Sequence, residues 1–74
     1  MSKTLKEVKV GEKVTIRRIT VTGALKRRLM DMGVNKGQEI LVRKVAPLGD
    51  PIEVNLRGYE LTFRKEEAEN ILVE

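Results

Sequence analysis

Apolar residues recur at every second position along most of this chain, and the places where that period breaks are as informative as those where it holds. Val14 and Ile16 alternate with polar neighbours, and so do Ile19 and Val21, but the two pairs are out of phase by one residue across Arg17-Arg18. Glu12 to Thr22 therefore reads as one long strand, rich in Val, Ile and Thr. A β-bulge at Arg17-Arg18 restores its phase, since one extra residue there puts both pairs on one face. Gln38 to Val45 is a second strand, with Ile40 and Val42 sharing a face. Ile52, Val54 and Leu56 alternate with Glu53, Asn55 and Arg57, the pattern of a half-buried antiparallel strand. Gly58-Tyr59 fits a two-residue type II′ turn with Gly first, and Glu60 to Arg64 returns with Leu61 and Phe63 pointing inward. Ile71 and Val73 end the chain as a short strand.

One stretch switches to the helical period. Leu25, Arg28, Leu29 and Met32 follow i, i+3, i+4, i+7 spacing, so Ala24 to Met32 reads as a short helix. Thr22 serves as its N-cap and Gly33 as a left-handed stop. Lys65 to Asn70 reads as a single helical or 3₁₀ turn. Leu5, Val8 and Val10 form an apolar entry ended by Gly11. Asn35-Lys36-Gly37 is a turn, and Pro47 to Pro51 a compact loop. Roughly five short strands with turn signals every 8–12 residues, and one helix after the first long strand, predict a mainly β chain folded as a small antiparallel barrel. Residues 1–74 form one domain, with no internal repeat and no linker.

Composition narrows the chemistry. A folded chain of this mass exposes about 4,600 Å² against about 12,200 Å² unfolded, so about 62% of its surface is buried. That supports one thin core and argues against a deep active site. The chain has no Cys, no His and no Trp. Disulfides, Cys/His zinc sites and nucleophiles relying on a thiol or an imidazole base are excluded. No apolar run approaches the ~18 residues of a membrane span, and the first residues have no signal-peptide core. The expectation is a soluble cytosolic protein without a cofactor.

Charge is uneven. Residues 1–30 carry nine Lys/Arg against two Glu, and residues 31–74 carry six against nine Asp/Glu, giving +7 and −3 within the total of +4. A basic half points to an acidic protein, a nucleic acid or an anionic lipid, or simply to a solvated surface. The predicted helix is where charge conflicts with local physics. A helix start carries partial positive charge and its end partial negative charge. Here Lys26, Arg27 and Arg28 crowd the start and Asp31 sits near the end. Such a conflict marks residues chosen for something other than the fold.

Two readings of these cations stand. Either they reach across to glutamates of the acidic half and hold the helix to the barrel, which suits Arg28 on the inward face, or they form a knob that meets an acidic or phosphate surface, which suits Lys26 and Arg27. Met30 lies off the apolar stripe, as core filler or as an adaptable contact. Leu25 and Leu29 read as core first and contact second. Tyr59 reads as a lid on the core edge. Glu66, Glu67 and Glu69 could bind a hard cation through oxygen, but their spacing matches no known loop and a solvated turn explains them. No metal site is assigned.

Four landmarks carry a family resemblance. Arg27-Arg28-Leu29-Met30-Asp31-Met32-Gly33-Val34-Asn35-Lys36-Gly37 resembles the R-R-L-x-x-M-G-[LIV]-x-x-G signature of the FeoA family. Leu5 to Gly11 resembles its L-x-x-L-x-x-G opening, with Val8 in the second apolar place. Leu48-Gly49-Asp50-Pro51-Ile52 resembles its G-D-P-[ILV] loop, and Gly58 to Ala68 its G-x-x-[LI]-x-[LF]-R-x-x-[ED]-A close. The resemblance implies an SH3-like barrel and a non-enzymatic accessory protein of bacterial ferrous iron uptake. It also implies a partner, the cytoplasmic G-protein part of the FeoB transporter. The same domain occurs fused to iron-dependent repressors, but this chain has no room for a DNA-binding half.

The expected docking surface is the helix region with its neighbouring loop: Leu25, Lys26, Arg27, Arg28, Leu29, Met30 and Met32, with Gly49, Asp50 and Pro51. The alternative is a small basic barrel that binds nucleic acid. Aromatic poverty argues against it, since only Tyr59 and Phe63 are available to stack on bases. An enzyme is the weakest reading, because no carboxylate pair is predicted in a sheltered cleft. Iron carriage is weak too, because imidazole, the usual nitrogen donor for Fe²⁺, is absent.

Overall fold

The first long strand is bent, and the bend lets it serve two neighbours. The computed structural model describes residues 3–74. Its strands are β1 (Lys3–Thr4), β2 (Lys13–Ile19), β3 (Glu39–Val45), β4 (Ile52–Leu56), β5 (Tyr59–Phe63) and β6 (Ile71–Val73), antiparallel in the order β1-β6-β2-β3-β4-β5. A 3₁₀ turn (Leu5–Glu7) follows β1, helix α1 (Ala24–Asp31) follows β2, and helix α2 (Lys65–Ala68) precedes β6. Lys13, Val14 and Thr15 of β2 pair with β3, whereas Ile16, Arg18 and Ile19 pair with β6. The switch falls at the bulge. Ile16 faces Val73 and Arg18 faces Leu72, which leaves Arg17 as the extra residue, where the broken alternation places it.

A second bulge repeats this pattern in β3. Val42 faces Val54 and Lys44 faces Glu53, leaving Arg43 as the extra residue. The two strands bury their residues in the same order: two alternating buried positions, two consecutive exposed cations, then a half-buried apolar residue. Each bulge bends its strand and puts two neighbouring cations outward.

The interior is closed by residues from outside the sheet. Leu29 of α1, Leu5 of the 3₁₀ turn and Ala68 of α2 are each fully buried in one core with Ile16, Ile40 and Phe63 of the strands. The end strands β1 and β5 do not pair with each other. The 3₁₀ turn and α2 lie side by side, tied by Lys6 Nζ at 3.0 Å from Glu69 Oε1.

The structure differs from expectation at several points. Six strands are present among the described residues, because two-residue β1 is too short and too polar to show as alternation. Strand β2 stops at Ile19, before Thr22. The N-cap of α1 is Gly23 at φ 78°, with no side-chain hydrogen bond from a cap. The hairpin turn is Arg57-Gly58, one residue earlier than expected, because Leu56 faces Tyr59. Both turn residues have positive φ, 55° and 88°, as a type I′ turn requires. Asn55 Oδ1 accepts a hydrogen bond from the Gly58 N–H at 3.1 Å. Tyr59 is therefore 73% exposed and is no lid. Val10 of the apolar entry is exposed as well.

Candidate functional site

Helix α1 is held at its C-terminus and along its inner face. Its C-terminus is closed by a Schellman motif: the Gly33 N–H donates to Met30 O at 3.0 Å and the Val34 N–H to Leu29 O at 3.1 Å, with Gly33 at φ 97°. Leu29 and Val34 are both fully buried, which supplies the hydrophobic contact of that motif. Leu25 and Met32 are partly buried against the same core. Leu25 and Leu29 are the inner face of α1, and Met32, expected inside the helix, is its C-cap just beyond Asp31. Leu29, expected among the docking residues, has no exposed surface and cannot touch a partner; its size and spacing made it the helix's anchor.

Arg28 departs from the inward stripe. Its side chain is largely exposed, yet Nη2 lies 3.3 Å from Glu67 Oε2. Glu67 is the one buried charged residue among those described, 7% exposed, and its Oε1 accepts the Arg64 N–H at 2.7 Å. Arg64 Nη1 lies 3.7 Å from Asp50 Oδ2, and Asp50 Oδ1 accepts the Lys65 N–H at 3.0 Å. A run of polar contacts thus joins α1, α2 and the Gly49-Asp50-Pro51 loop. The acidic cluster does not converge on a cation. Glu67 turns inward to Arg64 and Arg28, while Glu69 turns to Lys6.

The outer face of α1 carries Lys26, Arg27 and Met30. Together with Gly23, Ala24 and Asp31 they line an open hollow of about 580 Å³. Met30 is 47% exposed, so it is not core filler. Gly49, Asp50 and Pro51 are not in this hollow. Asp50 lines a separate one with Leu48, Lys65, Glu66 and Glu69, and Leu48 is 90% exposed. The expected helix and loop residues are therefore joined through α2 but form two surfaces.

A second hollow, of about 310 Å³, shares Lys26 and Met30 with the first and is completed by Arg17, Arg18, Ile19, Val34, Asn35 and Lys36. Sequence reasoning did not place Arg17, Arg18 or Lys36 at the site. Their one local signal was the bulge, which turns two adjacent arginines outward. Among the described residues, Arg18, Lys26, Arg27 and Lys36 have no carboxylate within 4 Å, whereas Arg17 Nη1 lies 2.8 Å from Glu74 Oε2. No aromatic residue among those described lines either hollow. Phe63 is fully buried, and Tyr59 lies beside Asp31 and Arg57 in a different depression.

Known proteins share this architecture. Residues 3–74 match the FeoA domain family. The chain belongs to the FeoA family. A curated relative from Porphyromonas gingivalis, an Fe(2+) transport protein A/Fe(2+) transporter FeoB fusion protein, is 34% identical over 70 residues. The match covers 95% of this chain but only 8% of that relative. The solution structure of an FeoA-like protein from Clostridium acetobutylicum is 45% identical and superposes with a TM-score of 0.91, covering 99% of this chain and 85% of that one. FeoA from Stenotrophomonas maltophilia, crystallised with zinc and described as a prokaryotic SH3 domain protein, is 25% identical with a TM-score of 0.85, covering 96% and 88%. The fold is thus the SH3-like one of FeoA proteins. No helix among the described residues is long and apolar enough to cross a membrane.

Proposed function

We propose that this FeoA domain is a non-enzymatic accessory of ferrous iron uptake. It docks on the cytoplasmic G-protein domain of an FeoB-type transporter and biases transport or nucleotide turnover without doing chemistry itself. The observation that carries this reading is the relative that joins an FeoA part and an FeoB transporter in one polypeptide. Two domains that share a chain in one organism act at the same place, and contact between them needs a surface on each. The outer face of α1, with Lys26, Arg27 and Met30 exposed around a shared hollow, is that surface. Gly49, Asp50 and Pro51 act behind it: Asp50 anchors α2, and Glu67 of α2 anchors Arg28. The cytoplasmic location follows from the partner.

The nucleic-acid alternative gains nothing from the geometry. The unpaired cations surround Met30 rather than an aromatic side chain, and single-strand binders of this kind stack bases on aromatics.

The test is an NMR titration of the ¹⁵N-labelled chain with the transporter's soluble cytoplasmic domain, with and without guanine nucleotide. Amides of Lys26, Arg27 and Met30 are expected to shift, and the double change Lys26→Glu/Arg27→Glu to abolish the shifts while the spectrum stays dispersed. Binding that leaves α1 unperturbed, or survives the double change, overturns the helix as the contact. An absence of binding to both the domain and the intact transporter in detergent overturns the partner.

A further inference from the structure

The two hollows that meet at Met30 have a composition that selects a kind of occupant. Their floor is apolar: Met30 is half exposed, Ile19 half buried and Val34 buried beneath. Their rim is cationic and comes from three separate elements: Arg17 and Arg18 from the β2 bulge, Lys26 and Arg27 from α1, and Lys36 from the turn before β3. Asp31 is the one acidic residue among those described that lines them, and Glu74 neutralises Arg17 from the side. Elsewhere the pattern is mixed: Lys3, Lys6, Lys13, Arg28, Arg43 and Arg64 each have a carboxylate within 4 Å, whereas Lys9, Lys44, Arg57 and Lys65, scattered over the surface, have none among the described residues. What sets the patch apart is that four unpartnered cations crowd around one apolar centre, where they repel one another.

We infer that this surface, α1 together with the β2 bulge, binds an acidic amphipathic segment of a partner protein, with carboxylates on the Arg18, Lys26, Arg27 and Lys36 rim and an aliphatic side chain seated against Met30. The inference rests on the proposed docking of this domain on a transporter and specifies the chemistry of the partner's contact. It also adds Arg18 and Lys36, which lie outside the helix. A polyphosphate or nucleic-acid backbone satisfies the rim but leaves the Met30 floor uncovered. A neutral apolar segment covers the floor but leaves the cations unpaired. Only a segment carrying both features meets both halves, and an unbranched, polarisable Met suits a floor that must adapt to the side chain it receives. Electrostatic complementarity of this kind governs encounter rate and register more than raw affinity, so the binding is fast and sensitive to salt.

Model peptides of defined chemistry test this directly. The ¹⁵N-labelled chain is titrated with a helix-forming peptide whose faces are Glu and Leu, with the same peptide carrying Gln for Glu, with a third carrying Ser for Leu, and with a short single-stranded DNA. The Glu/Leu peptide is expected to shift Arg18, Lys26, Met30 and Lys36 together. Each altered peptide is expected to bind about tenfold more weakly, the loss of a few exposed charge pairs or of one buried aliphatic side chain. The change Arg18→Glu/Lys36→Glu, on exposed residues whose side chains hold no ion pair in the fold, is expected to weaken the peptide and the transporter domain alike. Four outcomes overturn the inference: no shift at the patch with the Glu/Leu peptide; equal binding of the Gln peptide; equal binding of DNA; or shifts that grow with protein concentration in the absence of peptide, which would assign the surface to a second copy of this chain. If the peptide binds and the transporter domain does not, the surface chemistry stands and the transporter reading falls. If the domain binds the Arg18→Glu/Lys36→Glu variant unchanged, the reverse holds.

Discussion

Glu67 and Arg28 show how unequal two partners in one ion pair can be. Glu67 is buried and satisfies a backbone N–H as well as a guanidinium, whereas Arg28 is mostly in water. Removing Glu67 strips the Arg64 N–H, in a part-buried hydrogen bond, of its acceptor and empties a buried site, a loss of about 1–3 kcal/mol at most, whereas an exposed ion pair is worth at most about 1 kcal/mol. Glu67→Ala is therefore expected to lower the urea midpoint well below that of Arg28→Ala, although both break the same contact. Glu12 offers a second test. The Lys9 N–H donates to its Oε1 at 2.7 Å, and this hydrogen bond is the main cause holding its carboxyl below the ordinary glutamate range, with Lys3 and Lys9 adding to it. A depressed folded value means that the contribution is whole above the unfolded value and is lost as pH falls through the folded one. Glu12→Gln should flatten the acid side of the stability profile, followed by urea unfolding from neutral pH downward, and leave its slope above neutrality unchanged.

Elements differ in how openly they can be read from sequence, and the reasons are physical. The β2 bulge is legible because Val14, Ile16, Ile19 and Val21 bracket the parity break on both sides. The β3 bulge has the same break between Val42 and Val45, but only Val45 lies beyond it before the loop, so it passes for a strand end. The hairpin turn is easily misplaced because an arginine at positive φ is uncommon, and Gly58 draws the first turn position to itself. The C-terminus of α1 falls at Gly33 in sequence and structure alike because few other residues tolerate that conformation. Gly33→Ala is expected to cost about 1–2 kcal/mol from the left-handed backbone, with a further push from Leu56 Cδ2, which lies 3.4 Å from where the added Cβ would sit. That loss should appear as a fall in Tm of about 4–8 °C per kcal/mol in a domain of this size. In the candidate site, Lys26 and Arg27 stand out because they oppose their own helix dipole. Arg18 and Lys36 do not, because only the return of the chain through α1 brings the bulge and the turn to the same hollow.

At the scale of the whole molecule, the thin core sets what each buried residue is worth. A domain of this length has a total stability of about 4–11 kcal/mol, and a buried leucine truncated to alanine costs about 2–5 kcal/mol. Leu29 is fully buried and is the residue of α1 that reaches the interior of the barrel. Leu29→Ala is thus expected to remove a large share of the total in thermal or urea unfolding, and to loosen α1 before the strands in hydrogen exchange, since α1 has little else beneath it. Surface and anchor are in this way separated along one helix: Lys26, Arg27 and Met30 can change without loss of the fold, and Leu29 cannot.

The pairing of β1 with β6, Lys3 opposite Val73, has a mechanical consequence. Both strand ends leave the barrel at the same corner and in the same direction. A neighbouring domain attached at either end would hang from one hinge point, free to swing, while the α1 surface keeps its own orientation within the barrel. Tension applied between the two ends would open β1 from β6 one hydrogen bond at a time, like a zip, rather than loading all of them at once in shear. The barrel would yield first at that corner if pulled.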